Sequence, residues 1–121
     1  MKTASAKKKG RDFQKWVKDL ILRVFRELEG DDVLWRSMGS QGEDIMLSPK
    51  ARQLFPYSIE CKHYKSFAIY QHYDQATENA NGFEPILFIK GNNKKPLVVI
   101  DAEWFMKLVK FVKPEDYDRI K

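Results

Sequence analysis

Asp44 and the triplet Glu60-Cys61-Lys62 are the residues whose types and spacing suit a reaction at phosphorus. Glu60 and Lys62 stand two apart in a run that alternates Tyr57, Ile59, Cys61 against Ser58, Glu60, Lys62. In a strand both side chains therefore project from one face. Asp44 opens an earlier strand-like run, after the loop Met38-Gly39-Ser40-Gln41-Gly42 and with Glu43 beside it. A hairpin joining the two runs brings Asp44 to Glu60. Two carboxylates with open positions suit a hard cation such as Mg²⁺, with Mn²⁺ as a substitute. The Cys61 carbonyl can add a ligand while its side chain turns to the core. The Lys62 ammonium can hold or help deprotonate an attacking water and balance the charge that develops. A chain with 8 Glu and 16 Lys contains a Glu-x-Lys by chance, so the weight rests on this context.

The elements that must position these groups follow from periodicity. Phe13, Trp16, Val17, Leu20, Ile21, Val24, Phe25 and Leu28 lie on one face of a helix over 13–29, with Asp12 near its start and Gly30 at its stop. Strands are expected at Val33 to Met38, Asp44 to Leu47 and Tyr57 to His63, with 48–56 as a link. A second helix is expected from Phe67 to Asn81, its buried stripe made by Ile69, Tyr73, Ala76 and Ala80. Ile86 to Lys90 and Leu97 to Ile100 read as short strands around the basic turn 91–96. Asp101 then caps a last helix bearing Trp104, Phe105, Leu108, Val109 and Val112. The order α-β-β-β-α-β-β-α gives one mixed α/β domain over 12–121.

Charge and composition bound the function. Hydrophobic residues make up 43% of the chain and aromatics 13%, enough for a core and against disorder. No apolar run is long enough to cross a bilayer, and Met1 to Gly10 has no apolar stretch behind its charges, so neither a membrane nor a secretory signal is expected. Cys61 is the only cysteine, which excludes an intrachain disulfide and points to a reducing, cytoplasmic setting. The net charge of +5 equals the charge of residues 1–11, where Lys2, Lys7, Lys8, Lys9 and Arg11 meet no acid. These residues read as a flexible basic arm, either solvated or contacting phosphates. The body is neutral and can bind nucleic acid only by segregating its charges onto faces. His63 and His72 lack His-x-x-x-His spacing and read as solvated or supporting groups. Lys65, Lys90, Lys94 and Lys95 read as solvated or phosphate-contacting.

Gly42-Glu43-Asp44-Ile45 followed by Ile59-Glu60-Cys61-Lys62 resembles the PD-(D/E)xK nuclease superfamily. The longer stretches Arg36 to Ile45 and Phe55 to Lys62 are similar to small Holliday-junction-resolvase-like nucleases of phages and prophages. The likeness runs from Gly10 to the C-terminal helix. It implies a restriction-endonuclease-like core, a mixed sheet flanked by helices, Mg²⁺-dependent phosphodiester cleavage and a two-fold dimer. It further implies Asp44 and Glu60 as metal ligands, Lys62 as the catalytic lysine, and Arg36 and Ser40 facing DNA. Gln75, in His72-Tyr73-Asp74-Gln75-Ala76, resembles the glutamine that relatives hold near the site. Gln14 stands where many relatives carry a first-helix Glu; its amide cannot be an anionic ligand, which leaves it, like Glu43, a supporting role. Without a recognition-helix cluster of Arg, Asn and Gln, DNA shape and phosphates should dominate recognition. The expected activity is cleavage of branched DNA in recombination or repair, most specifically junction resolution. A nicking, flap or restriction-type nuclease and a non-catalytic DNA-binding module are the alternatives. A dimer interface falls to the apolar last helix or to the aromatic segment Tyr64 to Tyr73.

Overall fold

The computed structural model describes residues 4–36 and 41–121. A five-stranded sheet with spatial order β1-β2-β3-β4-β5 forms its centre. The strands are β1 (Val33–Trp35), β2 (Ile45–Leu47), β3 (Tyr57–His63), β4 (Glu84–Lys90) and β5 (Leu97–Val99). β1 pairs antiparallel with β2 and β2 with β3, β4 is parallel to β3, and β5 turns back against β4. The parallel pair needs a crossover, which α3 (Ile69–Glu78) supplies. The result is an α/β architecture with a mixed sheet flanked by helices.

Alternation along β3 divides the protein into two packing layers. Tyr57, Ile59 and Cys61 face the main core, where they meet Phe13, Val17 and Ile21 of α1 (Ala4–Val24) together with Ile86 and Phe88 of β4. Ser58 and Glu60 face α3 instead, beside the fully buried Leu87 and near Ala76 and Ala80. Val17, Ile45, Ile59 and Leu87 are fully buried, and each contributes about 1.5–3 kcal/mol by leaving water. α4 (Ala102–Val109) is capped by Asp101, whose carboxylate accepts from Trp104 N at 2.9 Å. It reaches the core through Trp104, whose indole N–H donates to the Tyr57 hydroxyl at 3.0 Å. A short α5 (Tyr117–Ile120) ends the chain.

Several boundaries differ from the periodicity reading. α1 begins at Ala4, so residues 4–11 are its first turns and not a flexible arm. Ala4, Ala6 and the lysines are good helix formers, and a Lys8–Asp12 pair at 2.7 Å links one turn to the next. Gly10 costs about 1 kcal/mol inside a helix and does not break this one. α1 ends at Val24 rather than Gly30, and a 3-10 turn, Gly30–Asp32, feeds β1. The link 48–56 contains a helix, α2 (Pro49–Leu54), capped by the Ser48 hydroxyl, which accepts from Ala51 N at 3.1 Å. β1 ends at Trp35, and the expected continuation through Met38 reaches outside the described residues. Among the described residues, no helix is long and apolar enough to cross a membrane.

Candidate active site

β3 carries the site because it is central and paired on both edges. Asp44 precedes β2, and its N–H donates to the Ile59 carbonyl at 2.9 Å. Two residues further along the same edge, the Cys61 N–H donates to Asp44 Oδ2 at 2.7 Å. The N–H and C=O of one strand residue leave on the same side, so the Cys61 carbonyl also lies on the Asp44 edge. The β2–β3 ladder ends at Ile45 and Ile59, which leaves this stretch of β3 edge to the Asp44 side chain. Cys61 Sγ lies on the other side, in the core, where burial pushes its thiol pKa well up.

Glu60 is 2% exposed, yet it is surrounded by polar groups. Its carboxyl lies beside that of Asp44, and the two influence one another's ionisation. Asn79 Nδ2, in the residue that closes α3, donates to Glu60 Oε2 at 3.4 Å. Lys62 Nζ lies 3.8 Å from Glu60 Oε1. Burial and the neighbouring Asp44 charge push the Glu60 pKa up to about 7, while Lys62 and Asn79 oppose them. Burial also raises Asp44, against the Cys61 N–H and the charges of Lys62 and Arg36. Two acids in one poorly solvated place cannot both ionise cheaply, and they share a proton. A divalent cation in place of that proton would neutralise both carboxylates, which the Lys62 and Arg36 charges do not do.

Two arginines hold the turn that presents Asp44. Arg36 N donates to the Asp44 carbonyl, and Arg36 Nε donates to the Glu43 carbonyl, each at 2.7 Å. The Arg36 guanidinium covers Gly42, whose φ of +105° suits glycine and where a Cβ would come within 3.1 Å of it. The Glu43 carboxylate pairs with Arg52 of α2. Arg52 also donates to the Tyr57 carbonyl at 3.0 Å and lies 4.2 Å from the centre of the Phe83 ring. Glu43 thus anchors the turn, and Arg36 engages backbone beside the site.

The remaining expected residues spread out. Gln75 is exposed on α3, and the contact with Glu60 comes one turn later from Asn79. Gln14 is buried, with Oε1 lacking a hydrogen-bond partner among the described residues. Ser40 lies outside the described residues. Lys7, Lys8, Lys9 and Arg11 are exposed on the first turns of α1. Tyr64, Phe67 and His72 pack as rings 5.3–6.1 Å apart beside Lys62, whose Nζ is 5.9 Å from the Tyr64 ring. Burial and the Lys62 charge lower the His72 pKa. Among the described residues, no group of three His, Cys, Asp or Glu side chains gathers at one point. A cation here would rest on two carboxylates, a carbonyl and water, which is an ordinary set for Mg²⁺.

Asn79 and Arg52 were not singled out from sequence. Asn79 follows Gln75 by four residues and so shares its helix face, a signal that was readable. Arg52 became meaningful only once 48–56 was a helix, and Ser48-Pro49, a capping residue followed by a first-turn proline, is the signature that announces it. Scans against protein-family models, curated proteins and solved structures returned no match for this chain.

Proposed function

We propose that this protein is a Mg²⁺-dependent DNA endonuclease acting on branched DNA, most specifically a Holliday-junction resolvase. The observation that carries the proposal is the adjacent carboxyls of Asp44 and Glu60, the first held by the Cys61 N–H and the second buried, with Lys62 Nζ 3.8 Å from the second. The order of the sheet also accords with a restriction-endonuclease-like core: an antiparallel β1-β2-β3 meander, then an α3 crossover to parallel β4.

In this reading Asp44, Glu60 and the Cys61 carbonyl hold the cation, and Mn²⁺ can take its place. Bound there, Mg²⁺ supplies Lewis-acid polarisation of the scissile phosphate and makes water a better nucleophile at neutral pH. The chain's own residues do the rest. Asp44 is fixed by the Cys61 N–H and Glu60 by Asn79, so the carboxylates need little reorganisation when the shared proton leaves. Lys62 keeps its ammonium beside Glu60, where it can steady an attacking water and balance charge growing on the phosphate oxygens.

Resolving a four-way junction requires two related cuts, which a two-fold dimer provides. α4 offers the surface: Phe105, Met106 and Leu108 are exposed, and Phe111 just beyond is 85% exposed. The alternative segment, Tyr64 to Tyr73, is largely packed on itself, with only Tyr70 strongly exposed among its large apolar side chains. A single reduced cysteine and DNA as substrate fit the cytoplasm, of a bacterial host if the gene is a phage's. The test is cleavage of a labelled four-way junction against a matched duplex, with and without Mg²⁺. Junction cleavage in Mg²⁺ with little cutting of the duplex supports the reading, and equal cutting of both removes the resolvase assignment.

A further inference from the structure

The chain separates its charges in space, and folding gathers ten of the positive ones at one end of the sheet. Segments 4–15, 62–65 and 90–96 hold ten of the 22 Lys and Arg residues but only one of the 17 Asp and Glu, Asp12. The rest of the chain, with 12 basic and 16 acidic residues, is net negative. These three segments are far apart in sequence and meet at one end of the sheet. Lys9 Nζ on α1 donates to Asn92 Oδ1 at 3.0 Å, which latches the start of α1 to the β4–β5 turn. Tyr64 N donates to the Lys90 carbonyl at 3.1 Å, which fixes the same turn to the end of β3. Phe13 of α1 packs edge-on to His63, with ring centres 6.1 Å apart.

The turn is itself braced. Lys90 Nζ is spent on the Gly91 carbonyl at 3.2 Å and the Lys94 carbonyl at 2.8 Å. Lys94 and Lys95 are thereby presented outward and exposed, on a rigid loop of Gly, Asn, Lys and Pro that has no apolar side chain to insert. Lys62 lies at this end of β3, which His63 and Lys90 close in register, while Asp44 and Glu60 stand at the strand's middle.

We infer that the β4–β5 turn and Lys9 of α1 form one phosphate-binding seat for a DNA duplex arm at the end of the sheet that bears Lys62. Lys94 and Lys95 contact phosphates on one side, and Lys9, which faces the turn from α1, on the other. This seat rests on the nuclease reading for its choice of DNA as the polyanion. It decides for phosphate contact at the turn, which the sequence leaves open, and joins the turn to α1 in one surface.

The test is binding of a labelled four-way junction and of a duplex across a salt series, in chelator so that nothing is cut. Lys94→Gln/Lys95→Gln keeps the side-chain stems, including the Lys94 Cγ that touches Gly91. Losing two phosphate contacts should lower the slope of log K against log salt by about 1.8. Between about 50 and about 200 mM salt that is roughly a tenfold smaller loss of affinity. The control pair Lys50→Gln/Lys107→Gln lies at the opposite end of the sheet and should leave the slope unchanged. Wild-type slopes in the turn variant, or equal losses in the control, would overturn the seat. A parallel Mg²⁺ cleavage assay separates the two proposals. Junction cutting with an unaltered slope sinks the seat alone, and a reduced slope without cutting sinks the nuclease reading alone. Binding to anionic vesicles but not to DNA would overturn both.

Discussion

Glu60 is the residue on which the site turns. Its pKa is pushed up to about 7 from a usual value near 4.5, so the fold favours its protonated form. The stabilisation is therefore fully present below about pH 4.5 and is lost as pH rises through 7. The whole effect is about 3 kcal/mol. In chelator, the wild-type melting temperature should fall between pH 5 and pH 8, and Glu60→Gln, which cannot ionise, should flatten that fall. Parallel curves for the two proteins would show that Glu60 does not set the pH response. Lys62 makes a different demand. Lys62→Ala should nearly abolish cleavage while leaving cation binding intact. Lys62→Arg keeps charge but changes shape and cannot release its proton, so it should cut far more slowly than wild type. Full activity in Lys62→Arg would reduce the lysine to a bare charge.

At the scale of elements, α2 decides how well Asp44 is held. Arg52 joins α2 to Glu43, to the Tyr57 carbonyl and to Phe83. Arg52→Ala leaves the half-buried Glu43 carboxylate without its partner and should cost about 2–4 kcal/mol of stability, read from urea unfolding. Loss of less than about 0.5 kcal/mol would place the pair among surface ion pairs that contribute little. Elements with strong periods were legible from sequence: β3 has the expected bounds, and α3, β4, β5 and α4 differ from theirs by a few residues. The misreadings cluster where glycine was taken as punctuation. Gly10 lies inside α1, because the amphipathic face that follows outweighs one glycine's backbone entropy. Gly30 lies six residues past the helix end, where Glu29 N donates to the Asp32 carboxylate at 2.8 Å and Asp32 accepts from the Ser48 hydroxyl at 2.7 Å. The second contact joins residues 16 apart, which no local pattern reveals. The meeting of Asp44, Glu60 and Lys62 was legible because strand alternation and one hairpin suffice to produce it. Asn79 requires the α3 crossover to be placed on the sheet before its contact exists.

The whole molecule has two contrasting surfaces. One end of the sheet is basic, with Lys9, Lys62, Lys90, Lys94 and Lys95 gathered there. Elsewhere, α4 and the residues after it leave Phe105, Met106, Leu108 and Phe111 in water. An exposed apolar patch of this kind is the mark of an interface. Phe105→Glu/Phe111→Glu should convert a dimer to a monomer in sedimentation velocity, and junction cutting should change from paired cuts to single nicks. A wild-type protein that sediments as a monomer at assay concentration would contradict the two-fold account. In the proposed reading the Asp44–Glu60 pair holds the cation that makes DNA cleavage possible. Its most direct test compares wild type, Asp44→Asn and Glu60→Gln on a labelled four-way junction in Mg²⁺ and in chelator. Junction binding is measured in the same samples. The expected result is cutting by wild type in Mg²⁺ alone, no cutting by either variant, and equal or tighter junction binding by both, since each loses a negative charge near phosphates. Near-wild-type cutting by either variant, or cutting by wild type in chelator, would contradict it.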